Sequence, residues 1–92
     1  MSTEQDDELV LIADDSKLMS DNMKKLLSQF KFSKFVFAED GIQALHQFKK
    51  RSPALVFLDI HMPTLNGLEA LRQVMKLDGD AYVIILSGES TI

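Results

Sequence analysis

Three aspartates and a serine stand where short apolar runs end. Asp14 and Asp15 follow Leu9 to Ala13 (LVLIA), Asp59 follows Ala54 to Leu58 (ALVFL), and Ser87 follows Ala81 to Leu86 (AYVIIL). Apolar runs of this length suit strands buried on both faces, as in parallel sheets. Sites in open α/β sheets form outside the carboxyl ends of the strands, and parallel strands bring those ends to one side. The carboxylates would then crowd together, and a pair at about 4 Å repels by roughly 4 kcal/mol at an effective dielectric near 20. Proton uptake or a hard cation relieves such crowding. An oxygen-only donor set favours Mg²⁺ over zinc or copper. Taken singly, an aspartate after a strand is a turn former or a helix cap. The metal reading comes from their joint placement.

The segments between these runs must supply the helices that hold the strand ends in place. Ser16 can cap a helix over Lys17 to Phe30, with Met19, Met23, Leu26, Leu27 and Phe30 at helical spacing on a core-facing side. Phe35 to Ala38 reads as a second strand. Asp40 with Gln43 forms a capping box for a helix that turns Ile42, Leu45 and Phe48 inward. That helix closes at Lys49, Lys50 and Arg51, before Ser52-Pro53. After a loop holding Pro63, Asn66 and Glu69 repeat the capping pattern for a helix with Leu68, Leu71, Val74 and Met75 on one side. Asp78-Gly79-Asp80 is a turn, and His46 is a surface residue. Strand and helix alternate with short links, which implies right-handed βαβ crossovers, a parallel sheet and helices on both faces.

Composition narrows the function classes. A chain of 92 residues fits one domain and buries about two-thirds of its unfolded surface. The hydrophobic share of 46% is too high for disorder. A net charge of −4 favours neither nucleic acid nor an anionic membrane surface. The apolar runs are too short to span a bilayer. The absence of cysteine excludes disulfides, thiolate metal sites and thiol nucleophiles, and agrees with a reducing compartment. Met1 to Glu8 reads as a disordered acidic tail rather than a secretory signal, so the expected location is cytoplasmic. No glycine-rich nucleotide loop is present.

Read together, Ala13-Asp14-Asp15-Ser16, Leu58-Asp59-Ile60-His61-Met62-Pro63 with Gly67, and Leu86-Ser87-Gly88 resemble the receiver domain of two-component response regulators. Ala38-Glu39-Asp40-Gly41 with Ala44-Leu45 matches the start of that family's second helix. The resemblance covers residues 9 to 90 and implies a flavodoxin-like, doubly wound parallel sheet. Asp59 then corresponds to the phosphoacceptor, which attacks the phosphorus of a phosphohistidine and becomes an acyl phosphate. Asp15 corresponds to the direct Mg²⁺ ligand, Asp14 acts largely through water, and Asp59 and the His61 backbone carbonyl complete the set. The His61 side chain would point outward and tune dephosphorylation. Ser87 corresponds to the switch hydroxyl that bonds the phosphoryl oxygen. The implied partner is a histidine kinase or a histidine phosphotransfer protein, and the module catalyses only its own phosphorylation and dephosphorylation.

Relative to that family the expected fold is incomplete, with about four strands and three helices in the order βαβαβαβ over residues 9–92. The fourth helix, a fifth strand ending in lysine and the fifth helix would be absent. Removing one preorganised stabiliser of phosphoryl charge commonly costs about a hundredfold or more in rate. The uncovered fourth strand would favour a homo-oligomer. The alternative function is a receiver-shaped interaction or assembly module without phosphotransfer. Haloacid-dehalogenase-like phosphatases also pair an aspartate nucleophile with Mg²⁺, but they need a D-x-D that Asp59-Ile60-His61 lacks. An FMN-binding flavodoxin would place phosphate where Asp14 and Asp15 repel it.

Overall fold

The computed structural model describes residues 6–30, 32–62 and 64–86, with side chains from Leu9 onward. Strand and helix alternate as β1 (Asp6–Ala13), α1 (Lys17–Leu27), β2 (Lys34–Ala38), α2 (Gly41–Arg51), β3 (Pro53–Asp59), α3 (Gly67–Leu77) and β4 (Val83–Leu86). The strands form one parallel sheet in the order β2-β1-β3-β4. This is the expected flavodoxin-like α/β arrangement. The centre of the sheet is set by β1 and β3, the two most deeply buried strands, which pair from Val10↔Leu55 to Ala13↔Leu58.

The strands bury both faces, with alternate residues on opposite sides. Leu11, Ala13, Val56 and Leu58 pack with Ala44 and Phe48 of α2 and Ala70 and Val74 of α3. Val10, Ile12 and Phe57 pack with Leu27 of α1 on the other face. Ser16, Asp40 and Asn66 cap the three helices, each side chain accepting from the backbone N–H three residues on. Such caps are worth about 1 kcal/mol each.

Element ends differ from the sequence expectation in ways that backbone bonding explains. β1 begins at Asp6, where the backbone already pairs with Pro53, so the tail expected over residues 1–8 loses its last three residues to the strand. Residues 1–5 lie outside the described ones. β4 is two residues shorter than the apolar run, because the Ala81 N–H donates to the Asp78 carbonyl and still belongs to the preceding turn. The first helix stops at Leu27, and Gln29 and Phe30 donate to Leu26 and Leu27 in a following turn.

The inward faces of the helices also need correction. Of the expected face of α1, Met23 and Leu27 do point inward, joined by Ser20, whereas Met19, Leu26 and Phe30 are exposed. Ile42 on α2 and Leu68 on α3 are likewise exposed, at 61% and 53%, and Met75 lies outside the core. The buried lines are Gly41, Ala44 and Phe48 on α2, and Gly67, Ala70 and Val74 on α3. Small residues there let the helix backbones approach, and the larger apolar residues beside them flank the contact instead of filling it.

Candidate metal centre

β1 and β3 are in register at Ala13↔Leu58, so Asp14 and Asp59 come one residue after a paired position on adjacent strands. Both are buried, at 8% and 6% exposure, whereas Asp15 is open to solvent. Asp14, Asp15 and Asp59 each offer a carboxylate oxygen, and these oxygens lie within 4.8 Å of one another. The expected gathering of carboxylates at one strand edge therefore exists.

Local backbone bonds fix the two buried carboxylates. The Asp14 N–H donates to the Ala38 carbonyl at 3.0 Å, which ties the end of β1 to the end of β2. Asp14 Oδ1 accepts from the Ser16 N–H at 2.9 Å, and Asp59 Oδ1 accepts from the His61 N–H at 3.2 Å. Ile60 donates to the Leu86 carbonyl at 3.0 Å, anchoring β4 beside the acidic edge. Burial pushes the Asp14 carboxyl above its usual range. The charges of Asp59 and Asp15 push the same way, and the Ser16 N–H opposes them.

A cation relieves both effects, and the donor set fits Mg²⁺. All the donors are carboxylate oxygens, the hard ligands this ion takes. Opposite ligands of an octahedral Mg²⁺ stand about 4.2 Å apart, from bonds of about 2.1 Å. A spread of 4.8 Å is close to that size. The site opens onto a cleft of about 130 Å³ whose walls include Asp15, Lys17, Asp21, Phe37 and Glu39. Lys17, Asp21 and Glu39 were not picked out as site residues from the sequence. Glu39 was within reach of the strand-end rule, since it directly follows Ala38 at the end of β2.

His61 is exposed and touches the cluster through its N–H; its ring is not one of the clustered donors. Ser87 and Pro63 lie outside the described residues. The residue before Ser87, Leu86, is the register partner of Asp59. Gly67 is pressed against the backbone at Asp59, where a Cβ would stand 2.1 Å from the Asp59 carbonyl oxygen. Its φ is not positive, so close approach is what requires glycine there.

Comparison with known proteins agrees with this geometry. The family model described as "Response regulator receiver domain" matches residues 10–92. The chemotaxis protein CheY of Bacillus subtilis is 37% identical over 78 residues, covering 85% of this chain and 65% of the relative. CheY of Thermotoga maritima is 33% identical over the same coverage. This chain thus spans about two-thirds or slightly less of the length of these relatives. Among solved structures, the CheX-CheY-BeF3-Mg²⁺ complex of Borrelia burgdorferi superposes with a TM-score of 0.84 at 31% identity, covering 88% of this chain and 62% of that one. The response regulator domain of Thermotoga maritima CheB gives a TM-score of 0.79 at 36% identity, covering 89% and 61%. With its sheet order, its acidic strand edge and these matches in agreement, the chain belongs to the response regulator receiver domain family.

Proposed function

We propose that this chain accepts a phosphoryl group on Asp59 from the phosphohistidine of a histidine kinase or a histidine phosphotransfer protein. The observation that carries the reading is the buried Asp59 carboxylate next to Asp14 and Asp15, within 4.8 Å. The Borrelia relative was crystallised with BeF3 and Mg²⁺, which supports the same ion here. Asp15, Asp59 and the His61 carbonyl would hold Mg²⁺, with Asp14 acting largely through water. When bound, the ion offsets the negative charge of nucleophile and phosphoryl group as they approach.

The chain's own residues do the rest. A carboxylate oxygen of Asp59 forms the bond to phosphorus while the phosphorus–nitrogen bond of phosphohistidine breaks, and the leaving imidazole takes up a proton. The His61 N–H holds the other side of the nucleophile by its bond to Asp59 Oδ1. Ser87 would bond a phosphoryl oxygen and report the modification. The module works in the cytoplasm as a signalling element that catalyses only its own phosphorylation and dephosphorylation.

Intact-mass measurement after incubation with Mg²⁺ and acetyl phosphate tests the proposal. A phosphoryl adduct that forms only slowly is expected on the wild-type chain and none on Asp59→Asn. An adduct that survives in Asp59→Asn would move the chemistry to another residue. A wild type that binds Mg²⁺ but is never modified would favour the interaction-module reading.

A further inference from the structure

Two glycines grip the loop that follows Asp59, and one of them stands outside the acidic cluster. A Cβ at Gly41, the first residue of α2, would lie 1.8 Å from the Leu65 carbonyl oxygen and 2.6 Å from the Leu65 Cβ. A Cβ at Gly67, the first residue of α3, would lie 2.1 Å from the Asp59 carbonyl oxygen and 2.6 Å from the Ile60 Cα. Neither glycine has a positive φ, so contact with backbone, not conformation, excludes a side chain at both. Between these contacts the loop is tied further. Met62 is buried in the core shared with α2 and α3, and Gly67 donates to the Ile60 carbonyl at 2.9 Å. The same loop carries the His61 N–H that bonds Asp59 Oδ1.

We propose that Gly41 is a positioning residue for Asp59, acting through Leu65 and the loop, and that this role rests on Asp59 being the phosphoacceptor. A side chain at position 41 cannot be absorbed by a flexible neighbour, because the atom in its way is a backbone oxygen. Either the start of α2 moves off the loop or the loop moves toward Asp59. If the loop moves, the His61 N–H is carried off its place at the carboxylate; if α2 moves, Leu65 loses the contact that holds the loop and the same N–H is held less firmly. A displacement near 1 Å at a reacting group can cost about a hundredfold in rate.

The test compares Gly41→Ala with Phe48→Leu, which loosens the same helix at its other end, where Phe48 lines a cleft with Pro53, Leu77 and Tyr82. Three readouts are taken on the 92-residue chain: Mg²⁺ affinity, modification by acetyl phosphate, and metal-free amide resonances. Gly41→Ala should lower Mg²⁺ affinity and the modification rate tenfold or more and shift the His61 and Gly67 amides. Phe48→Leu should leave affinity and rate within twofold and those amides in place. Unmoved His61 and Gly67 amides in Gly41→Ala, or equal losses in Phe48→Leu, would overturn the proposal. If the wild type neither binds Mg²⁺ nor is modified, the phosphoacceptor reading fails, and the amide shifts still decide whether Gly41 holds the loop. Should Gly41→Ala not fold, Asp40→Ala unties only the cap of α2. It should speed hydrogen exchange at the Gly67 amide, and unchanged exchange there would equally overturn the role.

Discussion

Asp14 and Asp59 leave adjacent parallel strands one residue after the pair Ala13↔Leu58, and the charge of Asp59 adds to burial in raising the Asp14 carboxyl above its ordinary range. The acidic edge is thus an electrostatic load on the fold when no cation is present. A carboxyl whose folded pKa is raised binds its proton more tightly in the native state than in the unfolded one. Stability then increases as pH falls through the raised value toward 3.8, and is lost as pH rises through it.

Asp14→Asn should therefore melt at a higher temperature than wild type in metal-free buffer at pH 7. Asparagine keeps an oxygen for the Ser16 N–H and removes the charge. The gap between the two melting curves should shrink as pH is lowered toward 4, because wild-type Asp14 becomes neutral there. A gap that is constant with pH would mean that Asp14 carries no such load.

Asp15→Asn should weaken Mg²⁺ binding about tenfold or more, since losing even an outer-shell partner of a metal typically costs that much. Asp15 is exposed, so its replacement should leave the metal-free melting temperature nearly unchanged. Isothermal titration and thermal melts on the same samples separate the two effects. Equal affinities in wild type and variant would remove Asp15 from the site.

Among the described residues, two that are not glycine adopt left-handed backbone, Ser52 with φ 47° after α2 and Thr64 with φ 65° in the loop after β3. The left-handed region costs an L-residue about 1–2 kcal/mol, and β-branched threonine tolerates it least. Glycine removes that strain but loses roughly 0.5–1 kcal/mol more backbone entropy on folding. Thr64→Gly should stabilise by about 0.5 kcal/mol on that balance, and Ser52→Gly by less. Urea midpoints measure both, and a loss of stability in Thr64→Gly would show that the threonine side chain is held by contacts that outweigh its strain.

The order of elements, the parallel sheet and the carboxylate cluster were legible in the sequence because each rests on a local signal repeated several times. Apolar runs marked β1 and β3, and Ser16, Asp40 and Asn66 marked the helix starts. The helix faces were less legible. Counting large apolar residues favoured Ile42 and Leu68, yet the buried lines run through Gly41 and Ala44, and through Gly67 and Ala70. How closely two backbones pack is a tertiary property, and glycine and alanine carry little hydrophobic signal of their own. For the same reason the contact of Gly67 with the Asp59 carbonyl has no signal of its own in the sequence.

The two edges of the sheet differ in a way that bears on self-association. β2 opens with the charged Lys34, a residue type that discourages edge-to-edge pairing. β4 is Val83-Ile84-Ile85-Leu86, with no charge, and among the described residues it pairs with β3 alone. Ile84 is 44% exposed and Tyr82, just before the strand, is 71% exposed. An uncharged apolar edge flanked by such side chains is a template for a second strand. Two copies of this chain should therefore associate through β4, joining their edges and covering Ile84. Light scattering over a dilution series should show a mass that rises with concentration above that of one chain. Ile84→Lys puts a charge on this strand while leaving the acidic cluster untouched, and should return the protein to a monomer with Mg²⁺ affinity unchanged. A wild type that stays monomeric at high concentration, or an Ile84→Lys variant that associates as before, would place β4 outside any self-contact.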